Sequence, residues 1–280
     1  MFRLLQIEWI KLKNSKASKI LIIVYFFLLM SISLIASIKL NLGELELNIA
    51  DQGIFNFPYI WHFNTYFASL FKIFLLLVVV SLTANEYANR TIKQNLIDGL
   101  SKKEFILSKF YMVLTLSFIS TLFVLVVSLI QGYLYSDFKE FSSVTTDLEF
   151  LLAYFIKLVG FFSFGLFLGV LIKRSAFAIG GLLVWFFIEK IAYGLMRWNF
   201  FRNTDIYEKV SQFFPLQAMS NLIIQPFSRF KFVKTMAKES NTKELLNIDY
   251  HIHWYQLLIV VIWTFIFIFL SYKLLKRRDL

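Results

Sequence analysis

Four charged residues lie within strongly apolar stretches of the sequence: Lys72, Lys157, Glu189 and Lys190. A charge at the centre of a bilayer costs roughly 2.5 to 3.5 kcal/mol on an insertion scale, so charges in such places commonly contact ions or substrates. At about 1.5 Å per helical residue, each lies roughly 9 to 14 Å from the outer end of its stretch. This common depth favours a substrate path that opens outward and holds an anionic or zwitterionic headgroup. The alternative is that each lysine extends to the outer interface, which is the simpler interpretation for Lys190.

Glu189 is the one acidic side chain of this group, and helix geometry limits its partners. Adjacent residues on a helix point about 100° apart, so Glu189 and Lys190 cannot share a direction. We therefore expect the Glu189 carboxylate to pair with Lys72 or Lys157.

A second group of functional candidates lies in the polar run from Asn89 to Lys109. Ala88, Ile92 and Leu96 recur at positions i, i+4 and i+8, which predicts a helix from about residue 86 to residue 98. Its apolar stripe is thin, so most of its surface is polar.

The same run carries a helix stop followed by a helix start. Gly99 suits the left-handed backbone position that ends a helix. Ser101 and Glu104 have the spacing of a capping box, in which each side chain accepts the other residue's backbone N–H. The next helix therefore begins here and continues into an apolar stretch. The predicted product is a short helix, a tight turn and a long rigid helix.

The amino-acid composition indicates whether this chain lies in water or in a lipid bilayer. Of its 280 residues, 58% are hydrophobic, and 34 are phenylalanine. The mean hydropathy is +0.66, which indicates an integral membrane protein. Cysteine is absent, which excludes disulfides and thiolate metal sites. The net charge of +11 lies largely beside apolar runs, so it indicates contact with membrane lipid and not with nucleic acid.

Six stretches are long enough to cross a bilayer, because about 20 residues cover a hydrocarbon core of about 30 Å. We predict spans at residues 20–38, 63–84, 106–130, 150–172, 176–196 and 254–272. The predicted fold class is therefore an all-α integral membrane protein with six transmembrane helices. A single transmembrane domain is expected over residues 1–280.

Basic residues predict the orientation, because Lys and Arg near span ends are retained on the cytoplasmic side. They concentrate in the N-terminal segment, between spans two and three, in the turn at Lys173-Arg174, and in the tail at 273–280. Both termini are therefore predicted to be cytoplasmic. The connection at 197–253 is predicted to be extracellular by the even span count, although it holds eight Lys and Arg.

Two segments are predicted to contain helices that do not cross the membrane. Residues 1–19 place apolar side chains at helical spacing among lysines, which favours a helix in the inner interface. An ordinary basic flank of span one is the alternative. Within residues 197–253, Thr204-Asp205 can cap one short helix and Pro215 can open another. We expect both short helices to lie on or dip into the outer leaflet.

The order and spacing of these motifs resemble ABC-2 type transporter permeases. Glu86, Arg90-Thr91, Leu96 and the turn at 99–102 resemble the intracellular coupling loop of that family. The start "LLQIEWIKLKNSK" and the external "FFPLQAMSNLI" resemble two further segments of such permeases, so the resemblance covers essentially the whole chain. One departure is that many members place a proline in the coupling turn where this chain has Gly99-Leu100.

The resemblance implies the permease subunit of an ATP-driven exporter of an amphipathic or hydrophobic substrate, in a bacterial cytoplasmic membrane. The chain contains no G-x-x-x-x-G-K-[ST] phosphate loop, so it would not be an enzyme itself. ATP and Mg²⁺ would be bound by a separate ABC-type ATPase, and a second permease chain, identical or different, would complete the unit. The residues implied in ATPase coupling are Glu86, Arg90, Thr91, Ile92, Leu96, Asp98, Gly99, Ser101 and Glu104.

Two other functions remain open from the sequence. An ion-gradient-driven secondary transporter commonly has spans interrupted by Gly or Pro, whereas none of the three prolines lies in a predicted span. A membrane-embedded enzyme would need a catalytic motif, and neither H-E-x-x-H nor G-x-S-x-G occurs. No metal site is expected, because His251-x-His253 is a poor site without further ligands.

Overall fold

The apolar runs of the sequence form helices in the computed structural model, which describes residues 2–35, 39–42, 45–48, 53–89, 91–200, 206–230, 233, 235 and 248–278. The helices are α1 (Phe2–Asn14), α2 (Lys16–Ile35), α3 (Tyr59–Leu70), α4 (Lys72–Ala88), α5 (Thr91–Ile97), α6 (Lys102–Tyr135), α7 (Phe141–Thr145), α8 (Glu149–Ile172), α9 (Ser175–Leu195), α10 (Ile206–Ser211), α11 (Pro215–Asn221) and α12 (Trp254–Lys276). A π-helical turn (Met196–Phe200) extends α9, and a 3₁₀ turn (Phe227–Arg229) follows α11.

Several of these helices can cross a membrane. In the described part of the chain, four are long and apolar enough, and the number rises to six if each of two bent helix pairs is one span. The protein is therefore a multi-pass membrane protein. The prediction of transmembrane helices is confirmed, and the predicted six is the upper of the two counts.

The first bent pair is α1 and α2, whose axes differ by 88°. Because α2 is the apolar member of the pair, a membrane-spanning α2 leaves α1 nearly parallel to the membrane surface. The bend excludes a straight helix through both segments, whereas the interfacial position of α1 stays a prediction.

The second bent pair is α3 and α4, which meet at an angle of 44°. The predicted continuous span at 63–84 is wrong in this respect, because helix begins at Tyr59 and is interrupted at Phe71. The Phe71 N–H donates to the Ala68 carbonyl three residues back, which tightens the backbone locally. Neither glycine nor proline lies at the break, so no sequence signal marks it.

The centre of the fold is α8, which packs against α4, α6, α9 and α12. Of its most apolar window, 72% is buried, compared with 17% for α9. A side chain at Gly165 would collide with Leu76 of α4, and Gly169 faces Thr83 one turn further along. The Gly165-x-x-x-Gly169 pair therefore lets α4 and α8 pack closely.

Hydrogen bonds between buried side chains also join the spans. The Tyr25 hydroxyl of α2 lies 2.7 Å from the Tyr154 hydroxyl of α8. The Asn64 amide of α3 donates to Ser128 at 2.8 Å and to Gln131 at 2.6 Å, both on α6. Such bonds satisfy polar groups that water cannot reach inside a membrane protein.

A short antiparallel hairpin is the one departure from an all-α fold in the described residues. Its strands are β1 (Lys39–Leu42) and β2 (Leu45–Asn48), with Lys39 opposite Asn48. Leucine alternates with other residues along both strands, which is the period of a β-strand. Sequence analysis missed the hairpin because its alternating pattern is short and lies beside a longer apolar stretch.

Candidate functional site

The polar run after α4 forms a separate short helix. α4 ends at Ala88, and α5 occupies Thr91–Ile97. The predicted continuous helix over residues 86–98 is therefore wrong, because the chain leaves the helix at Asn89, where the backbone is no longer helical. Arg90 lies outside the described residues. The break leaves Glu86 in the last turn of α4 and makes α5 a separate helix.

The end of α5 and the start of α6 have the predicted capping. Gly99 has a φ of +95°, its N–H donates to the Leu96 carbonyl, and the Leu100 N–H donates to the Asn95 carbonyl. These two bonds form the Schellman motif that ends a helix at glycine. Ser101 then forms the predicted capping box with Glu104 in both directions. Local interactions alone produce this turn.

The side chains of α5 divide into an inner and an outer set. Ile92 is buried, and Leu96 is half-buried on the same side of the helix. Ile97, in contrast, is 78% exposed at the end of α5. Ile97 is off the apolar stripe that predicted this helix, so pattern analysis missed it. A large aliphatic side chain on an otherwise polar helix is the signal that could have identified it.

A buried ionic cluster fixes the base of α5. We call it the Glu86 cluster; its members are Glu8, Lys11, Glu86, Asn95 and Lys109. The Lys109 ammonium donates to Glu8 at 2.6 Å and forms an ion pair with Glu86. Lys11 lies 2.9 Å from Glu86 and 3.3 Å from Glu8, and the Asn95 amide donates to Glu86 at 3.2 Å. Four helices, α1, α4, α5 and α6, therefore meet at one carboxylate.

The charges of the Glu86 cluster balance each other. Two carboxylates face two ammonium groups, and the side chain of Lys109 is fully buried. Burial alone would raise the pKa of Glu8, but the positive charges of Lys109 and Lys11 lower it below its usual value. Glu8 therefore remains ionised near neutral pH. Sequence analysis singled out Glu86 but gave Glu8 no role, because the two lie far apart in the chain.

The remaining predicted coupling residues make local hydrogen bonds. Asp98 accepts from the Gln94 amide at 3.0 Å, and the Thr91 hydroxyl donates to the Glu86 carbonyl at 3.4 Å. The Lys102 ammonium donates to the Arg278 carbonyl at 2.9 Å, which links the start of α6 to the end of α12. The predicted coupling residues described here thus lie around one short loop and its two flanking helices.

A chamber of about 330 Å³ lies between α4, α8, α9 and α11, at a distance from the Glu86 cluster. We call it the outer chamber. Three of the four predicted substrate-path residues line it, namely Lys72, Glu189 and Lys190. The Lys72 ammonium lies 4.5 Å from the centre of the Phe161 ring, and Lys190 donates to the Gln217 side chain at 3.0 Å.

Glu189 holds the beginning of α11. Its carboxylate accepts three hydrogen bonds, from the Trp185 indole at 2.7 Å and from the backbone N–H groups of Leu216 and Gln217 at 3.0 Å each. It forms no ion pair with a described residue, so the predicted pairing with Lys72 or Lys157 is wrong. The first N–H groups of a helix lack intrahelical partners, so those of α11 bind the Glu189 carboxylate in place of the expected lysine.

Lys157 lies outside the lining of the outer chamber and contacts the chain that follows α11. It is buried, and its ammonium donates to the Ile223 carbonyl at 3.5 Å. The His62 ring of α3 lies 2.8 Å from the next carbonyl, that of Ile224. Ala218 and Met219 of α11 are buried and belong to the hydrophobic core. The expected short helix at Pro215 is confirmed, and it is inserted between the long helices.

A family sequence profile matches most of the chain. The sequence profile described as "Protein of unknown function (DUF2705)" matches residues 48–280. The chain belongs to DUF2705. The DUF2705 region contains the whole outer chamber, α5 and the three cluster residues Glu86, Asn95 and Lys109. Glu8 and Lys11 precede it. Comparison with curated proteins gives no match.

The DUF2705 region also contains His251 and His253, which precede α12. His253 lies 3.4 Å from Asp249 and stacks on Tyr255. The His251 N–H and His253 lower the pKa of Asp249 below its usual value. Among the described residues, no three His, Cys, Asp or Glu side chains are grouped as metal ligands.

Proposed function

We propose that this chain is the permease subunit of an ATP-driven exporter in a bacterial cytoplasmic membrane, similar to ABC-2 type permeases. A separate ABC-type ATPase binds ATP and Mg²⁺, and a second permease chain completes the unit. The observation that carries this proposal is α5, a short and mostly exposed helix whose base is bonded to three other helices through the Glu86 cluster.

The shape of α5 suits contact with a second protein. Its outward side carries Lys93, Gln94 and the exposed Ile97. Apolar side chains surrounded by polar ones commonly form the energetic centre of protein interfaces. On the predicted cytoplasmic side, Ile97 would insert into an apolar pocket of the ATPase.

The attachments of α5 suit transmission of a push. Asn95 connects α5 to Glu86 on α4, and Glu86 connects to Lys109 on α6. Packed helices move as rigid bodies and do not deform continuously, so displacement of α5 would tilt α4 and α6 together. α1 would follow through Glu8 and Lys11. The substrate path would thereby change its access to the two sides of the membrane.

A secondary transporter is the second candidate, and one observation favours it. The α3–α4 span is broken at Phe71, immediately before the intramembrane Lys72, and broken spans bind ions in such transporters. The other bent pair breaks at Ser15, outside the apolar stretch, so it does not form a matching half. This candidate requires transport that continues without an ATPase.

The first test is retention of the ATPase. The chain is co-expressed with an ABC-type ATPase encoded beside it, purified in detergent, and the amount of retained ATPase is measured. We expect Ile97→Asp to reduce retention about tenfold or more, because a charge replaces an apolar interface anchor. Phe141→Asp is the matched control, since Phe141 is an equally exposed apolar residue near the opposite end. Equal retention by both variants and the parent would contradict the proposal.

The second part of the test concerns coupling. Gly99→Pro and Leu96→Asp should abolish substrate-stimulated ATP hydrolysis while the chain still inserts, because proline cannot adopt the φ of +95°. Gly99→Asn should retain more activity, since asparagine tolerates the left-handed region. Full transport by Gly99→Pro and Leu96→Asp would exclude α5 as the coupling element.

A further inference from the structure

The outer chamber opens toward the lipid-facing side of the molecule. Leu183 and Phe186 of α9 line it and are themselves exposed. Its inner wall is formed by Phe161 of α8 and Met219 of α11. A volume of about 330 Å³ is at the lower end of the range for small-molecule sites, which is about 300 to 1,000 Å³. A lipid headgroup fits this volume better than a whole amphiphile does.

The charges around the outer chamber have a positive sum. Lys72 and Lys190 line it, and Lys157 is buried outside this lining. None of these lysines forms an ion pair with a described residue. Glu189 is the nearby carboxylate, and its oxygens already accept three N–H groups. The positive charge of the chamber is therefore available to bind an anion.

The rim of the chamber continues into an apolar surface. Phe186, Phe187 and Ile191 are exposed on α9, and only 17% of the apolar window of that helix is buried. Acyl chains can follow this face while a headgroup enters between α9 and α11. A soluble anion would gain nothing from this surface.

We propose that the outer chamber binds the anionic, phosphate-bearing headgroup of a membrane amphiphile whose tails lie along α9. Lys72 and Lys190 contact the phosphate, and Gln217 and Ser220 are placed to contact its polar substituents. The assignment of this amphiphile as the exported substrate rests on the proposed transport function, whereas its binding does not. The proposal narrows the exported substrate from any amphipathic molecule to the class of acidic lipids.

The test measures lipid binding to the full chain without any ATPase. The purified protein in neutral detergent is titrated with phosphatidylglycerol or phosphatidylcholine, and bound lipid is counted by native mass spectrometry. We expect phosphatidylglycerol to bind about tenfold more tightly, and Lys72→Gln with Lys190→Gln to remove about tenfold of that affinity. Lys139→Gln removes an exposed lysine outside the chamber and should leave binding unchanged.

Three outcomes would overturn the inference. Phosphatidylcholine that binds as tightly as phosphatidylglycerol contradicts it, because the lysines would then not select a headgroup with a net negative charge. Unchanged affinity of the double variant contradicts it too. Glycerol phosphate that binds as tightly as phosphatidylglycerol would identify a soluble anion instead. Lys72→Arg, which keeps the charge, should retain binding and thus separates lost charge from a misfolded chamber.

A failure of this inference differs from a failure of the proposed function. Loss of lipid selectivity with normal ATPase retention would overturn the inference alone. Selective lipid binding without ATPase association would overturn the exporter and leave the binding site. Stimulation of ATP hydrolysis by phosphatidylglycerol in the complete complex, absent in the Lys72→Gln and Lys190→Gln variant, would support both.

Discussion

At the scale of single residues, two carboxylates within the helical bundle act in different ways. Glu86 binds two ammonium groups and the Asn95 amide, so it joins side chains from several helices. Glu189 binds backbone N–H groups and holds the start of α11. A buried carboxylate requires full hydrogen bonding to offset its desolvation, and each meets this requirement with the groups that its helix faces.

We predict that Glu86→Gln lowers the free energy of unfolding by about 3 to 5 kcal/mol, because Lys109 would remain buried with one carboxylate fewer. Lys11→Met should cost less than Glu86→Gln, since the Lys11 side chain is 26% exposed, compared with 6% for Glu86. Denaturant titration in detergent, followed by tryptophan fluorescence, measures both. The double variant Glu86→Gln with Lys109→Met keeps the Glu8–Lys11 pair and should recover part of the loss; strictly additive losses would contradict the cluster.

At the scale of elements, the position of α8 depends on how closely its neighbours approach. Gly165 lets Leu76 of α4 contact the α8 backbone, and Gly160 lies against Val260 of α12. Small residues permit such approach in membranes, where packing contacts and not hydrophobicity drive helix association. The broken span and the outer chamber both lie along this α4–α8 contact, so its spacing affects the proposed substrate path.

Gly165→Val should therefore separate α4 from α8 and lower stability by about 1 to 3 kcal/mol, as overpacked cores do. Gly180→Val is the matched control, because a Cβ at Gly180 has no atom within 4 Å. The same denaturant titration compares the two variants. A loss at Gly180 equal to that at Gly165 would indicate a general effect of β-branched residues in these helices and not the α4–α8 contact.

At the scale of the whole molecule, the two ends of the bundle carry different features. α5, the Glu86 cluster and the end of α12 lie at one end, where Arg278 also donates to the carbonyls that end α8. α7 and the chain after α11 lie at the other end, where Trp61 donates to the Val144 carbonyl. The proposed mechanism requires the first end to be cytoplasmic, as the basic residues predict.

The absence of cysteine from the chain permits a clean test of this orientation. Lys103→Cys and Ser142→Cys place single exposed thiols at opposite ends. In intact cells, a membrane-impermeant maleimide should label Ser142→Cys and leave Lys103→Cys unlabelled until the membrane is permeabilised. The reverse pattern would place α5 outside the cell, where no ATPase could reach it, and would contradict the proposed function.

Much of the fold follows from the local sequence. Apolar length predicted the long helices, and Gly99, Ser101 and Glu104 predicted the turn after α5, because each of these signals involves neighbours within a few residues. Two boundaries were wrong, at Asn89 and at Phe71, since neither break carries a glycine or proline. The β1–β2 hairpin was missed beside a longer apolar signal.

The sequence by itself determined that this is a membrane protein with a capped polar loop between two long helices. Only the tertiary structure decided that Glu8 meets Lys109, that Glu189 meets α11 and that Lys157 stays outside the chamber lining. The physical reason is that apolar length specifies where a helix runs, whereas its rotation about its own axis depends on packing with distant segments. That rotation determines which groups a buried charged side chain contacts.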